Sequence, residues 1–210
     1  MPTAQLVVYS DYLCPWCHNA AVRLRRLREE FAPTLRIEWR SFLLRPRPTA
    51  GRDLEKFRSY TESWMQPAAE RDAGSFQVWQ GGAGPPTHSV PPHLAAKAAA
   101  QFGEEPFERM HEGLLRAYFS ESRDITHEDT LRELWEVAGL APEEFARVAD
   151  PEILRRVLAQ HQEAIERGVT GVPTVVLEGN GALVMGAQPL EVYRRWIQRV
   201  TGVAEPVRVE

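Results

Sequence analysis

The chain holds two cysteines, Cys14 and Cys17, with two residues between them. As a structural staple this pair would be poor, because closing so short a loop contributes only ~2 kcal/mol against ~5 kcal/mol for a long one. The spacing suits a reversible redox pair instead. One sulfur attacks a partner's disulfide and the other displaces the mixed disulfide that results. Pro15 fits the first position of a helix, where its missing N–H costs nothing. That would put Cys14 at the helix start, among N–H groups that lack intrahelical partners, where a thiolate is favoured over a thiol. Each unit of depression below about 8.5 requires about 1.4 kcal/mol, while the helix dipole supplies ~0.3 to 2 kcal/mol. A shift into the ~3.5 to 7.5 range of such pairs therefore needs hydrogen bonds as well, from local N–H groups and from the Cys17 thiol. Cys14 is expected to be the attacking sulfur and Cys17, one turn on and more buried, the resolving one.

Other chemistries for these residues are weaker. Cys14-Pro15-Trp16-Cys17-His18 fits the pattern for covalent haem attachment, but that use requires an exported chain and leaves the flanking strands unexplained. Zinc would find ligands in Cys14, Cys17 and His18, yet a structural site wants four and there is no second cysteine pair. No metal is expected. His88, His93, His111, His127 and His161 stand at no ligand spacing and read as surface or capping residues. Trp16 is expected to be exposed, either contacting partner proteins or shielding the thiols. Trp39, Trp64, Trp79, Trp135 and Trp196 read as core. Asp11, three residues before Cys14, either assists proton transfer or only ends the preceding strand.

The elements that must position the cysteines follow from periodicity. Gln5 to Tyr9 is a nearly continuous apolar run, as for a strand buried on both faces. From Pro15 to Phe31 the apolar positions recur at helical spacing, with Arg23, Arg25, Arg26 and Arg28 expected on a solvated face. Leu35, Ile37 and Trp39 alternate with charged residues, so the opening third reads as a β-α-β unit with a parallel crossover. Strand signals then stop. Leu131, Leu134, Trp135 and Ala138 share a helical face after a Thr126-to-Asp129 capping pattern, with Gly139 as the stop. Asp150-Pro151 opens a further helix carrying Ile153, Leu154, Val157, Leu158, His161 and Ile165, closed by Gly168. The glycines and prolines from Gly74 to Pro92 mark a loop between helices. Strand chemistry returns at Val175 to Leu177 and Leu183 to Met185 around Asn180-Gly181, which favours a tight hairpin. Pro189 then starts a last helix with Leu190, Tyr193, Ile197 and Val200 facing inward, ended by Gly202.

Composition narrows the class. The chain has 210 residues, 43% hydrophobic and 26% charged, which describes a globular protein with a full core. A net charge of -4 gives no basic field for nucleic acid or an anionic membrane. No apolar run approaches the ~18 to 20 residues of a membrane span. The N-terminus, Met1-Pro2-Thr3-Ala4-Gln5, has no basic stretch or apolar segment behind it, so a cytoplasmic protein is expected.

Tyr12-Leu13-Cys14-Pro15-Trp16-Cys17 at a strand-to-helix junction, with Gly171-Val172-Pro173-Thr174 far downstream, resembles the DsbA-like branch of the thioredoxin superfamily, and FrnE-like proteins in particular. The resemblance extends to Gly186-Ala187-Gln188-Pro189 and to Leu115-Arg116-Ala117-Tyr118-Phe119 with Arg123-Asp124-Ile125. It implies an α/β protein, a thioredoxin-like fold with an inserted all-helical domain: residues 1–45 and 161–210 forming the first and 46–160 the second. It further implies that Pro173 is a cis-proline facing the cysteines and that the Val172 backbone pairs with an extended substrate segment. One departure stands out, since the buried carboxylate that such proteins carry six residues before the first cysteine is here Val8. The resemblance implies exchange with protein thiols and disulfides or with low-molecular-weight thiols. The cofactor is then nothing beyond the redox-active disulfide, with glutathione as a candidate co-substrate. An alternative is a glutathione-dependent enzyme on a small aromatic molecule, of the 2-hydroxychromene-2-carboxylate isomerase or kappa-class glutathione transferase type. Those enzymes typically carry serine at the position of Cys14 and need no Cys17.

Overall fold

The computed structural model describes residues 4–49, 53–82 and 84–202. Met1 to Thr3, on which part of the leader expectation rests, lie outside the described residues. Strand β1 (Ala4–Ser10) leads into helix α1 (Pro15–Glu30) and strand β2 (Leu35–Ser41). A helical stretch follows: α2 (Leu54–Thr61), α3 (Met65–Ala68), α4 (Val90–Ala99), α5 (Glu104–Phe119), α6 (Glu128–Val137) and α7 (Pro151–Glu166). Strands β3 (Thr174–Leu177) and β4 (Leu183–Met185) and helix α8 (Leu190–Thr201) complete the chain. The sheet order is β2-β1-β3-β4, with β1 and β2 parallel and the other neighbours antiparallel. This is an α/β thioredoxin-like fold with a helical insertion.

The apolar run of β1 is central in the sheet because both its faces are covered, and Leu6, Val7, Val8 and Tyr9 are wholly buried. Leu6 and Val8 pack on one face with Ala20, Leu24 and Leu27 of α1 and Tyr193 and Ile197 of α8. Val7 and Tyr9 pack on the other with Phe42, Val169 and Ala164 of α7. A separate core of aromatic and alanine side chains fills the helical domain, Trp64, Trp79, Tyr118 and Trp135 among them. Helix α7 joins the two bodies: Ile153 lies in the helical core and Ala164 against the sheet, so one helix runs unbroken through residue 160.

Several local expectations are corrected. Pro91 and Pro92 do not lie in the loop but in the first turn of α4, where a missing N–H is tolerated. The residue at the start of α6 is His127, which makes no capping bond, and it is Asp124 that accepts from Thr126. Asp150 opens α7 as expected, its side chain accepting from the Glu152 N–H at 2.8 Å. On α7 only Ile153, Val157 and Ala164 are buried, while Leu154, Leu158 and Ile165 face outward. Among the tryptophans, Trp64, Trp79 and Trp135 are buried, whereas Trp39 and Trp196 are half-buried at the edges of the cores.

The arginines of α1 are a solvated face only in part: Arg25 and Arg26 are exposed as expected, Arg28 is half-buried and Arg23 is buried. Arg23 is 1% exposed, and its guanidinium donates to the carbonyls of Ala187, Gln188 and Arg71 and to the Glu70 carboxylate, at 2.7 to 3.0 Å. Arg25 pairs with Glu112, Arg26 with Asp72 and Arg28 with Glu108. The helix is enclosed on two sides, by the sheet and by the inserted helices. A guanidinium with five donors can satisfy carbonyls in such a seam, which a hydrophobic period cannot reveal.

Candidate active site

Cys14 is the residue before the first turn of α1, with φ -99° and ψ 115°, and Pro15 takes the first helical position. The Cys14 carbonyl accepts from the N–H groups of Cys17 at 3.0 Å and His18 at 3.3 Å, so the helix begins at the cysteine. Both thiols are free; Cys14 is 6% exposed and Cys17 wholly buried. The Cys14 pKa is lowered, first because the Cys17 thiol donates a hydrogen bond to it and further through the N–H groups of Cys17 and Trp16. Burial and the charge of Asp11 oppose that shift. The Cys17 pKa is raised well above its ordinary value, chiefly by burial and then by the hydrogen bond and charge of Cys14. A thiolate at Cys17 would meet the Ser10 side chain and the Asp11 N–H. Two identical groups are thus driven apart by unequal solvation and hydrogen bonding.

The second wall comes from a segment 158 positions away: Cys14 Sγ donates to the Val172 carbonyl at 3.4 Å. The Val172–Pro173 peptide is cis. The Pro173 carbonyl accepts from Gly186 N–H at 2.8 Å, and Thr174 Oγ1 donates to the Gly171 carbonyl at 2.7 Å, so this segment is held from β4 and from within. Pro15 and Trp16 are both half-buried, and Trp16 is therefore less exposed than its place between the cysteines suggests. Val8 lies in the apolar core beside α1, so no carboxylate occupies that position.

Asp11 is wholly buried, and its carboxylate is engaged in holding backbone: Oδ1 accepts from Leu13 N–H at 2.6 Å and Oδ2 from Leu44 N–H at 2.8 Å. It closes the turn before Cys14, whose N–H donates to the Asp11 carbonyl at 3.2 Å, and ties that turn to the chain leaving β2. Burial pushes its pKa up to about 6, against the Ser89 side chain and the two N–H groups that favour the ionised form.

Sequence reasoning missed the groups behind this turn. His93 and His111 are buried, not on the surface, and their rings meet Tyr12 edge-on at centroid distances of 4.8 and 5.4 Å. The Tyr12 hydroxyl lies 2.9 Å from His111 Nδ1. Burial pushes both imidazoles down to about 3, and Lys97, close by, to about 8. The signal was present in the spacing: His111, Leu114, Leu115 and Tyr118 lie on one face of α5 and are all buried.

Comparison with known proteins agrees with this geometry. The uncharacterized protein YwbO of Bacillus subtilis (strain 168) is 26% identical over 208 residues, covering 93% of this chain and 96% of the relative. A probable DsbA oxidoreductase of Streptomyces coelicolor superposes with a TM-score of 0.73 at 26% identity, covering 99% of this chain and 94% of that one. The cytosolic disulfide reductase DsbM of Pseudomonas aeruginosa superposes with a TM-score of 0.75 at 21% identity over 95% of this chain and 100% of that one. The model of the DSBA-like thioredoxin domain matches residues 5–198, and the chain belongs to that family of thiol-disulfide oxidoreductases.

Proposed function

We propose that the protein exchanges disulfides with other proteins through Cys14 as nucleophile and Cys17 as resolving thiol, and that a low-molecular-weight thiol such as glutathione recycles it. The observation that carries this reading is the opposed shift of the two sulfurs, Cys14 lowered and Cys17 raised, with Cys14 set against the Val172 carbonyl. In the reducing direction the Cys14 thiolate attacks one sulfur of a substrate disulfide, and the other leaves as a thiol after taking a proton. Cys17 then loses its proton and attacks Cys14 Sγ. The second substrate thiol is released, and Cys14 and Cys17 are left oxidised as a disulfide. Val172 offers backbone to an extended substrate segment beside Cys14.

Glutathione enters because the DsbM neighbour also carries the description "with GSH". A cytoplasmic site for the exchange is supported by that neighbour's cytosolic description and by a chain whose two cysteines are both committed to one pair. No helix among the described residues is long and apolar enough to cross a membrane. The isomerase alternative leaves Cys17 without a role. The test is insulin reduction and scrambled-ribonuclease refolding with the wild type, Cys14→Ser and Cys17→Ser, each with glutathione present and absent. The reading expects both activities to vanish in Cys14→Ser; activity that survives there overturns it.

A further inference from the structure

Helix α4 turns one face toward the turn that precedes Cys14. Ser89, just before its first turn, and His93, four residues on, share that side, and both are buried. The Ser89 side chain meets the Asp11 carboxylate, and His93 Nε2 lies 4.0 Å from Asp11 Oδ2. That gap is too long for a hydrogen bond, and Nε2 has no other partner. The Phe42 backbone draws a hydrogen on the same ring, which leaves Nε2 as a bare acceptor. Two acceptors thus face each other with water shut out, since Asp11 is wholly buried and His93 is 4% exposed. Only a proton entering the gap can join them.

Asp11 is the group that takes it. Burial pushes its carboxyl up to about 6. Burial pushes the imidazole down to about 3, and Lys97 on α4, His111 on α5 and His161 on α7 add to the cost of a charge there. Against protonation of Asp11 stand the Ser89 side chain, the N–H groups of Leu13 and Leu44, and Arg45 beyond β2. Tyr12 and Tyr118, which also feel the Asp11 charge, are kept neutral by burial. The state of this carboxyl reaches the chemistry because its charge opposes ionisation of Cys14.

We propose that His93 is a positioning residue for the exchange: on uptake of a proton from solvent, Asp11 Oδ2 closes on His93 Nε2 and donates to it, and the charge that opposes the Cys14 thiolate disappears. Asp11 Oδ1 keeps the Leu13 N–H throughout, so the turn holds. As pH falls through that step, the thiolate is lost by less than the tenfold per unit of an isolated thiol. The inference rests on Cys14 as the nucleophile, but alkylation reads its thiolate whatever disulfide it serves. The test is the rate of Cys14 alkylation by iodoacetamide from pH 5 to pH 8 in the full chain. Without its acceptor Asp11 should hold the proton less firmly, so His93→Phe should match wild type at pH 8 and be slower at pH 5, by up to about tenfold. His93→Gln, whose amide oxygen accepts, should restore most of that rate. Asp11→Asn should outpace wild type at pH 7 and equal it at pH 5, and adding His93→Phe to it should change nothing. In ¹⁵N-labelled wild type, one imidazole nitrogen should shift with a midpoint near pH 6 while its ring stays neutral, and that step should vanish in Asp11→Asn. Slowing by His93→Phe that is equal at pH 5 and pH 8, unchanged alkylation in that variant, or the lack of such a step in any neutral ring would each overturn the proposal.

Discussion

The two parts of α1 use buried polar groups in opposite ways. At its N-terminal end, chemically identical sulfurs are made unequal, since Cys17 is the more deeply buried and the thiol hydrogen bond that steadies a charge on Cys14 raises the cost of one on Cys17. Along its flank, unequal groups are made neutral: Arg23 is surrounded by three carbonyls and Glu70, and Arg25 and Arg28 face glutamates. Reactivity at the end requires an imbalance that the fold protects. Attachment along the flank requires that no imbalance remain, because a charge stranded there would cost several kcal/mol. The same helix therefore carries the chemistry and holds together the sheet, the inserted helices and the turn before α8.

The largest break in that contrast is at the sulfurs. Cys14→Ser should bring insulin reduction down more than about a hundredfold, to the uncatalysed rate, because the hydroxyl is no nucleophile at neutral pH. Cys17→Ser should instead trap a mixed disulfide with substrate, visible on a non-reducing gel. Alkylation of the reduced protein near pH 6 should label Cys14 first, and preferential labelling of Cys17 would reverse the roles. On the flank, Arg23→Met keeps much of the apolar stem but strands three carbonyls and Glu70. A loss of ~3 kcal/mol is expected, read as a lower denaturant midpoint with little change in alkylation rate. Should alkylation slow in step with stability, the two regions would not be separable.

The cysteine end was legible because it is local: a proline, two cysteines and a strand-helix junction lie within a dozen residues, and the continuous apolar run of β1 announces a strand covered on both faces. The fold class followed from the same signals together with resemblance. The flank was not legible, because a guanidinium that satisfies carbonyls of residues 71, 187 and 188 is indistinguishable in sequence from one facing water. His93 and His111 were misread for a related reason. Polarity places histidine on the surface, while helix α5 puts His111 on the face shared with Leu114, Leu115 and Tyr118. Leu154, Leu158 and Ile165 fail the other way, their period being correct but their side of α7 uncovered.

The buried imidazoles give the next prediction. His18, His93 and His111 have folded values of about 4, 3 and 3 against an ordinary 6.5, so each stabilises fully above pH 6.5 and loses that contribution as pH falls toward its folded value. Asp11 runs the other way: raised from 3.8 to about 6, it holds its proton in the folded state and offsets one of the three. Lys97, lowered to about 8, stays protonated throughout this range. Near pH 5 these groups together make unfolding take up about two protons, a fall in stability of about 3 kcal/mol per pH unit, and His88 and His161, also lowered by burial, add to it in the same direction. Calorimetric melts between pH 7 and pH 5 check this, and a flat profile would contradict neutral, buried imidazoles.

The smallest effect separates two roles for Asp11. Its negative charge opposes ionisation of Cys14, while both its oxygens are engaged with the N–H groups of Leu13 and Leu44. As a clamp, Asp11→Asn keeps one acceptor and turns an amide NH₂ toward the other N–H, so stability should fall by ~1 to 2 kcal/mol. With the charge gone, the Cys14 pKa should drop further, and alkylation near pH 7, where Asp11 is ionised, should speed up by less than about tenfold. As a proton relay for Cys17, the same substitution would in addition slow release of the mixed disulfide. Cys17 is served by the Ser10 side chain and by the Asp11 backbone N–H, which Asn retains. Faster alkylation with undiminished resolution is therefore the expected pair of results, and slowed resolution alone would move Asp11 from holding the turn to taking part in the exchange.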